Sequence, residues 1–263
     1  FYSKVDGLSD VSPSWIRYHE GYKTLIIGYA NGNIDLMDTT GVINVNDIVR
    51  NTSIQGDKRI TNIYTDEGSL IYLSTPFGLL VLDLASRQFK STVFTSSPVR
   101  GFTKYHGLYY LAAENGLFRF DPNAGNIIED FSSWEKVEVT GLPASYSCQA
   151  VAVYQDVLYA GLAGDLYRQD QGDFILWYTK EGFTIDFLSA EGQNLMAGFA
   201  CDAECVGKVF YFRDSGFWHE NGIYCTARPS YAIEDEKGRI WYADRYPEFR
   251  LAQNHFTPCD ILK

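Results

Sequence analysis

One phrase returns six times along the chain: an apolar strand closing on a small residue, a short turn, and a second apolar strand. It reads Leu25-Ile26-Ile27-Gly28 then Asn33-Ile34-Asp35-Leu36, and Ile71-Tyr72-Leu73-Ser74 then Leu79-Leu80-Val81-Leu82-Asp83. It returns as Tyr109-Tyr110-Leu111-Ala112 with Leu117-Phe118-Arg119-Phe120-Asp121, and as Leu158-Tyr159-Ala160-Gly161 with Leu166-Tyr167-Arg168. The last two copies are Leu195-Met196-Ala197-Gly198 with Val209-Phe210-Tyr211-Phe212, and Ile240-Trp241-Tyr242-Ala243-Asp244 with Phe249-Arg250-Leu251. Taking Gly28, Ser74, Ala112, Gly161, Gly198 and Asp244 as equivalent, the steps are 46, 38, 49, 37 and 46 residues, a mean near 43. Propeller blades repeat at about 40–50 residues.

Each copy has a further strand upstream, such as Ile60-Thr61-Asn62-Ile63-Tyr64, and most have one downstream, such as Phe174-Ile175-Leu176-Trp177-Tyr178. Four short strands make one blade. Asn31-Gly32, Asn115-Gly116, Asp121-Pro122-Asn123 and Glu236-Lys237-Gly238 stand where hairpins need positive φ or a preset proline. No stretch of ten residues keeps a helical period. A large β-sandwich is the competing architecture, but its strands would not recur in this four-part order. The expectation is therefore all-β: one β-propeller domain over 1–263, with four-stranded blades near 13–46, 59–92, 98–131, 147–178, 184–221 and 228–256. Residues 1–4 read as the outer strand of one more blade. They either close a six-bladed ring or remain from a seventh blade begun upstream.

Composition agrees with a strand-built core. Hydrophobic residues make up 46% of the 263, with 19 Tyr and 17 Phe against 2 Met, and aromatic side chains pack well on pleated surfaces. The net charge of −11 repels a phosphate backbone, and no Lys/Arg run offers a local exception, so nucleic acid is not an expected partner. No run of 18 apolar residues exists, so no membrane span is expected. Phe1-Tyr2-Ser3-Lys4 is not a signal peptide. With no initiator methionine the chain reads as a mature or trimmed product, and its start says nothing about compartment.

Catalytic signatures are scarce. The four histidines, His19, His106, His219 and His255, fall in no nucleophile or metal spacing, and each reads as a surface turn residue. No Gly-x-Ser-x-Gly elbow occurs. Carboxylates are numerous, but spacing alone pairs none of them as a glycosidase would require. The expectation is a protein that is not an enzyme, with no cofactor and no metal. Asp121-Pro122-Asn123-Ala124-Gly125 departs from a calcium loop, having glycine fifth rather than sixth. Of the cysteines Cys148, Cys201, Cys205, Cys225 and Cys259, the pair Cys201 and Cys205 is close enough to staple one long turn as a disulfide. Reduced, half-buried thiols are the first reading of these cysteines, with that disulfide second and a weak metal site last.

Propellers bind on the face formed by the turns between second and third strands and by the segments entering the first strand. The candidates there are Tyr29, Asn31, Phe77, Glu114, Asn115, Asp165, Arg245 and Tyr246. An aromatic ring beside Arg or Asn supplies contact area while the polar group fixes orientation. Arg245-Tyr246 is the preferred anchor because Pro247 stiffens its loop. Each aromatic is alternatively a filler between blades.

Two resemblances add to this reading. Gly7-Leu8-Ser9-Asp10, and Ile233-Glu234-Asp235-Glu236-Lys237-Gly238-Arg239-Ile240-Trp241-Tyr242-Ala243-Asp244 in the sixth copy, resemble the periplasmic propeller repeats of hybrid two-component regulators. Tyr2-Ser3-Lys4, Gly7-Leu8-Ser9-Asp10, Asn31-Gly32-Asn33-Ile34-Asp35-Leu36, Gly56-Asp57-Lys58, Tyr72-Leu73-Ser74 and Phe77-Gly78 together resemble the N-terminal propeller of PorZ-like proteins of the Bacteroidetes type IX secretion system. That likeness is good over the first 90 residues or so and looser beyond. It implies a seven-bladed propeller, of which this chain carries six blades, in a periplasmic or cell-surface protein. It also implies secretion-complex proteins as partners, with anionic lipopolysaccharide as a further ligand. The regulator likeness implies instead a periplasmic glycan sensor. The sixth copy departs from the repeat at Tyr246-Pro247-Glu248, where a tight glycine turn is expected.

Overall fold

The structure, a computed structural model, describes residues 3–190, 194–201, 207–212, 218–221, 229–244, 249–252 and 261–262. They form six four-stranded sheets, every one an antiparallel meander of consecutive strands. The chain divides into two compact units, Phe1–Val137 and Glu138–Lys263.

The first unit holds sheets 1 to 3. Sheet 1 is Pro13–His19, Thr24–Tyr29, Ile34–Asp38 and Gly41–Val45; sheet 2 is Asn62–Tyr64, Leu70–Thr75, Gly78–Asp83 and Gln88–Phe94. Sheet 3 is Val99–Tyr105, Leu108–Ala113, Gly116–Phe120 and Glu135–Lys136. The second unit holds sheet 4 (Cys148–Tyr154, Val157–Leu162, Asp165–Asp170, Asp173–Tyr178) and sheet 5 (Thr184–Ser189, Leu195–Ala200, Lys208–Phe212, Trp218–Asn221). Its sheet 6 is Pro229–Glu234, Ile240–Asp244, Phe249–Ala252 and Ile261–Leu262. Helix is confined to the four residues Asp47–Arg50 and two 3-10 turns among the described residues.

Three boundaries differ from expectation. Sheet 3 closes on Glu135–Lys136, beyond residue 131, because the 3-10 turn Phe131–Ser133, capped by Asp130, comes before its last strand. Sheet 6 runs to Leu262 rather than 256. At the start, Lys4 lies in a 3-10 turn, Lys4–Asp6, not in a strand. The Ser3 hydroxyl accepts from Val5 N–H while Asp6 accepts from Ser3 N–H, a capping box that favours the turn over an extended chain. Phe1 and Tyr2 lie outside the described residues.

The unbroken apolar runs have a packing cause. In sheet 2, Ile71 and Leu73 join the core shared with Ile26, Ile34 and Leu36 of sheet 1, whereas the intervening Tyr72 joins Phe102, Leu111 and Phe118 of sheet 3. A strand covered on both faces loses the polar alternation of a half-exposed one. The second unit repeats this, with Ala197 and Phe199 in one cluster and Met196 in the next.

Sheets stacked this closely leave no room for a side chain at one recurring point. A Cβ on Gly28 would stand 2.8 Å from Ile60 Cβ, and one on Gly161 would stand 2.6 Å from Ile185 Cγ2. On Gly198 it would collide with the Phe187 ring. This is the small residue of the repeat, and strand register makes its sixth equivalent Ala243, facing Tyr231, rather than Asp244. At Gly28 and Gly161 the position is small because the leading segment of the next sheet lies against it, whereas at Gly198 the obstacle is Phe187, its partner on the first strand of the same sheet.

Candidate functional site

The sheets of the first unit have two ends, one carrying the turns between second and third strands and the other the turns between first and second. The sequence pointed to the former. There, Tyr29 is fully buried and its hydroxyl donates to Asp35 Oδ2 at 2.8 Å. Asp35, also fully buried, further accepts from Ser9 N–H (2.7 Å), Ser9 Oγ (2.5 Å) and Asn44 Nδ2 (2.9 Å). Burial, and then the hydrogen bond to Asp35, push the Tyr29 phenol well above its ordinary range. Tyr29 is therefore a core residue closing a lock on Ser9, not an exposed ligand contact.

The other candidates at this end are also engaged within the fold. Asn31 is exposed, but its Nδ2 donates to Asp10 Oδ2 at 2.5 Å and its Oδ1 accepts from Asn33 N–H at 3.0 Å. Phe77 is half-buried against the core between sheets 1 and 2, with its ring centroid 6.2 Å from that of Phe94. The backbone carbonyl of Asn115 accepts from Lys136 Nζ, and Glu114 pairs with Arg100. In the second unit, Asp165 is half-buried at the start of its strand, opposite Leu162. Arg245 and Tyr246 lie outside the described residues. Cys201 is disulfide-bonded, while Cys205 lies outside the described residues. Cys148 is a free, fully buried thiol whose pKa burial drives upward.

The sequence reading missed a regularity at this same end. In five sheets the first strand carries a one-residue bulge, at Ser14, Arg100, Gln149, Asp186 and Ser230. Thr61, just ahead of Asn62–Tyr64, takes the equivalent place in sheet 2. A bulge re-aims the side chain of its extra residue. In the first unit the short hydroxyls tie one sheet to the next: Ser14 Oγ donates to Ile60 O at 2.8 Å and Thr61 Oγ1 to Val99 O at 2.8 Å. Its sequence signal is a polar residue between two less polar ones, as in Pro13-Ser14-Trp15 or Cys148-Gln149-Ala150.

At the opposite end of the first unit lies a cavity of about 460 Å³, lined by Asp66, Glu67, Gly68, Ser69, Leu70 and Lys104. Lys104 Nζ donates to Asp66 Oδ2 at 2.6 Å and stands 4.6 Å and 5.3 Å from the ring centroids of Tyr72 and Tyr109. Gly68 N–H donates to Asp66 Oδ1 at 2.8 Å. Burial pushes the Asp66 carboxyl up, but the hydrogen bonds from Lys104 and Gly68 outweigh it and hold the group below the usual carboxylate range. His19, expected on the surface, is only 2% exposed. Its Nε2 lies 2.8 Å from Gly68 O and its Nδ1 accepts from Tyr22 N–H, so it joins the turns of sheets 1 and 2 beside the cavity. No sequence motif marks this cavity: Lys104 and Asp66 are 38 residues apart and meet only because sheets 2 and 3 stack.

The PorZ N-terminal β-propeller domain of the type IX secretion system matches residues 1–135, just over half of the chain. The chain belongs to that family. Its fold is accordingly an all-β β-propeller. The PorZ-family match and the first unit, Phe1–Val137, are nearly coextensive. No curated protein matches the sequence. Among solved structures, PorZ of Porphyromonas gingivalis is similar with a TM-score of 0.75 at 22% identity, over 99% of this chain and 33% of that one. The extracellular domain of the hybrid two-component system BT4673 from B. thetaiotaomicron gives 0.70 at 16%, over 97% of this chain and 33% of that one. The Swd1 propeller domain of Myceliophteria thermophila gives 0.70 at 15%, over 97% and 87%. At these identities the likeness is one of fold alone, and the chain spans about a third of the length of the first two.

Proposed function

We infer that this chain is a non-catalytic binding and scaffold propeller of an outer-membrane secretion and attachment complex of the type IX kind. The observation that carries this reading is the family match over residues 1–135. The lock of Ser9 on Asp35 supports it, because it gives a structural reason for Gly7-Leu8-Ser9-Asp10 and Asp35, residues on which the resemblance rests. On this reading the six sheets are six blades of a domain that has seven when intact. The protein acts outside the cytoplasm, at the periplasmic or outer face of the envelope. Its partners are other secretion-complex proteins, with lipopolysaccharide as a further ligand. Among the described residues no helix is long and apolar enough to cross a membrane. Attachment through protein contacts is compatible with that.

The test is affinity capture of the full-length protein from cross-linked envelope fractions, with mass spectrometry of what is retained. Enrichment of outer-membrane secretion components over a tag-only control is expected. A full-length product that carries a membrane helix and a histidine kinase domain, and captures none of those components, would overturn the proposal in favour of the glycan-sensing regulator.

A further inference from the structure

The outer edges of sheets 1 to 4 are not alike. A last strand presents backbone N–H and C=O groups to solvent and invites another strand, so soluble proteins shorten it, charge it or cover it. Sheet 1 ends on Gly41–Val45, whose Val42 and Ile43 are half-buried, and the helical turn Asp47–Arg50 follows at once. Sheet 2 carries Lys90 in its last strand, paired with Asp83, and Ser91 Oγ there donates to Glu129 of a later loop at 2.6 Å. Sheet 3 closes on two residues, Glu135–Lys136.

Sheet 4 is neither short nor charged along this edge. Its last strand, Asp173–Tyr178, continues after Asp173 as Phe174-Ile175-Leu176-Trp177-Tyr178, with no charge and no proline. Ile175 is 38% exposed and Leu176 55%. Being adjacent, they point to opposite faces, so the edge projects beyond its cover on both sides. A bulge at Trp177 interrupts the pairing, but Asp173 to Leu176 face Asp170 back to Tyr167 in regular register. That stretch can template a further strand. A run of strand-forming residues left open in this way is an aggregation hazard unless something occupies it.

Charge narrows the occupant. Asp170 and Asp173 are exposed and directly opposite each other at one end of the strand, where like charges repel. Glu181 is exposed in the turn beyond the other end. Lys180 beside it is half-buried, with its ammonium 5.4 Å and 5.8 Å from the ring centroids of Phe210 and Phe183. Residues 138–263 hold 18 Asp and Glu against 10 Lys and Arg, so a second copy of this unit is repelled and a cationic segment attracted. We propose that the outer edge of sheet 4 binds an extended segment of a partner protein as a fifth strand, with apolar residues against Ile175 and Leu176 and lysine or arginine toward the segment's ends. In strand addition the main-chain hydrogen bonds supply affinity and the side chains specificity.

The edge would bind in this way whether or not the chain serves a secretion complex, so this test and the envelope capture fail separately. The test is selection of displayed random peptides of about eight residues, within ordinary strand length, on the full-length protein, followed by fluorescence anisotropy of the best one as a synthetic peptide. Selected peptides should be rich in Val, Ile, Thr, Tyr and Phe, lack proline, and carry Lys or Arg near an end. Methylating one of the two alternating sets of backbone nitrogens should weaken binding about tenfold or more, because only the set facing the edge donates to it. Leu176→Lys should weaken it about as much, and Asp173→Asn about threefold. Both residues are exposed, so neither variant asks the fold to adapt. Failure to select any peptide, or selection of proline-rich or acidic ones, overturns the proposal, as does binding that methylation of either set or Leu176→Lys leaves unchanged. A dimer seen in sedimentation that Leu176→Lys dissociates also overturns it, by giving the edge to a second copy.

Discussion

The two ends of the first unit use similar residues to opposite effect. At the second-to-third-strand end, the buried polar groups are consumed inside the fold, where Tyr29, Ser9 and Asn44 close on Asp35 and Ser14 and Thr61 bridge sheets, while Asn31–Asp10 and Arg100–Glu114 are exposed pairs. At the other end, Lys104 and Asp66 bond to each other across two sheets and remain part-exposed around a cavity. The difference is one of satisfaction. A polar side chain whose partners are all internal stabilises the stack and has little left to offer a ligand. A pair that satisfies itself only in part, at a cavity mouth, keeps capacity for one. The end that the family-like residues mark is therefore the end that builds the domain.

The most damaging change should be at the packing point that this scaffold end is built around. Gly28→Val puts a branched side chain where even a Cβ stands 2.8 Å from Ile60, and Ile60 is fully buried with nowhere to retreat. A loss of about 3 kcal/mol or more is expected, read as a lower denaturant midpoint at unchanged m-value. A shift under about 0.5 kcal/mol would mean that the sheets slide apart at little cost, and the explanation of the repeated small residue would go with it.

Next in size is Asp35→Ala. It leaves the Tyr29 hydroxyl, Ser9 Oγ and Asn44 Nδ2 without their shared acceptor in a fully buried place. About 2–3 kcal/mol should be lost, since an orphaned buried donor bears its desolvation cost. Amide exchange at Ser9 should accelerate as well, because its N–H donates to Asp35. Unchanged exchange at Ser9 would break the link between the N-terminal segment and sheet 1.

How much of this was legible in the sequence follows from the range of the contacts. Periodicity gave strands and turns because each sheet is a local meander, and the apolar run Leu79-Leu80-Val81-Leu82 registers burial on both faces. The small residue was visible too, though the sixth copy was misplaced by one, since only strand register separates Ala243 from Asp244. Tyr29 was misread because an aromatic next to a turn looks the same whether it points outward or inward onto a buried carboxylate. The signal that separates the two was present: Asp35 stands in the apolar strand Ile34–Asp38 and needs donors nearby. The cavity had no such signal. Its parts come from separate repeats, and nothing in the neighbourhood of Lys104 distinguishes it from any other strand-end lysine.

The sheet ties are the next smaller effect. Ser14→Ala and Thr61→Val should each cost about 1 kcal/mol, the net worth of one hydrogen bond. Gln149→Ala at the equivalent bulge of sheet 4 should cost less. The Gln149 amide bonds only to its neighbour Ser147 and its Oε1 has no partner, so no bond between sheets is lost. Chemical denaturation of the three variants checks the order. Equal losses would show that the bulge geometry matters rather than the hydroxyl.

The smallest effect is a pH dependence at the cavity end. Asp83 accepts from the Ser86 and Ser69 hydroxyls and from Ala85 N–H, with Lys90 at 3.5 Å, and these lower its pKa to about 2. An unfolded aspartate titrates near 3.9, at about its reference value. Because the folded value is the lower, the unfolded chain binds the proton first as acid is added. The stabilisation is therefore complete above about pH 4 and is lost as pH falls toward about 2. Ser69 also lines the cavity, so this loss loosens the end that offers ligand capacity. Asp83→Asn should flatten the acid limb of the stability curve between those values, lowering stability at neutral pH and leaving it nearly unchanged near pH 2. An acid limb equally steep in the variant would assign that dependence to other carboxylates and leave the hydroxyls of Ser69 and Ser86 without this role.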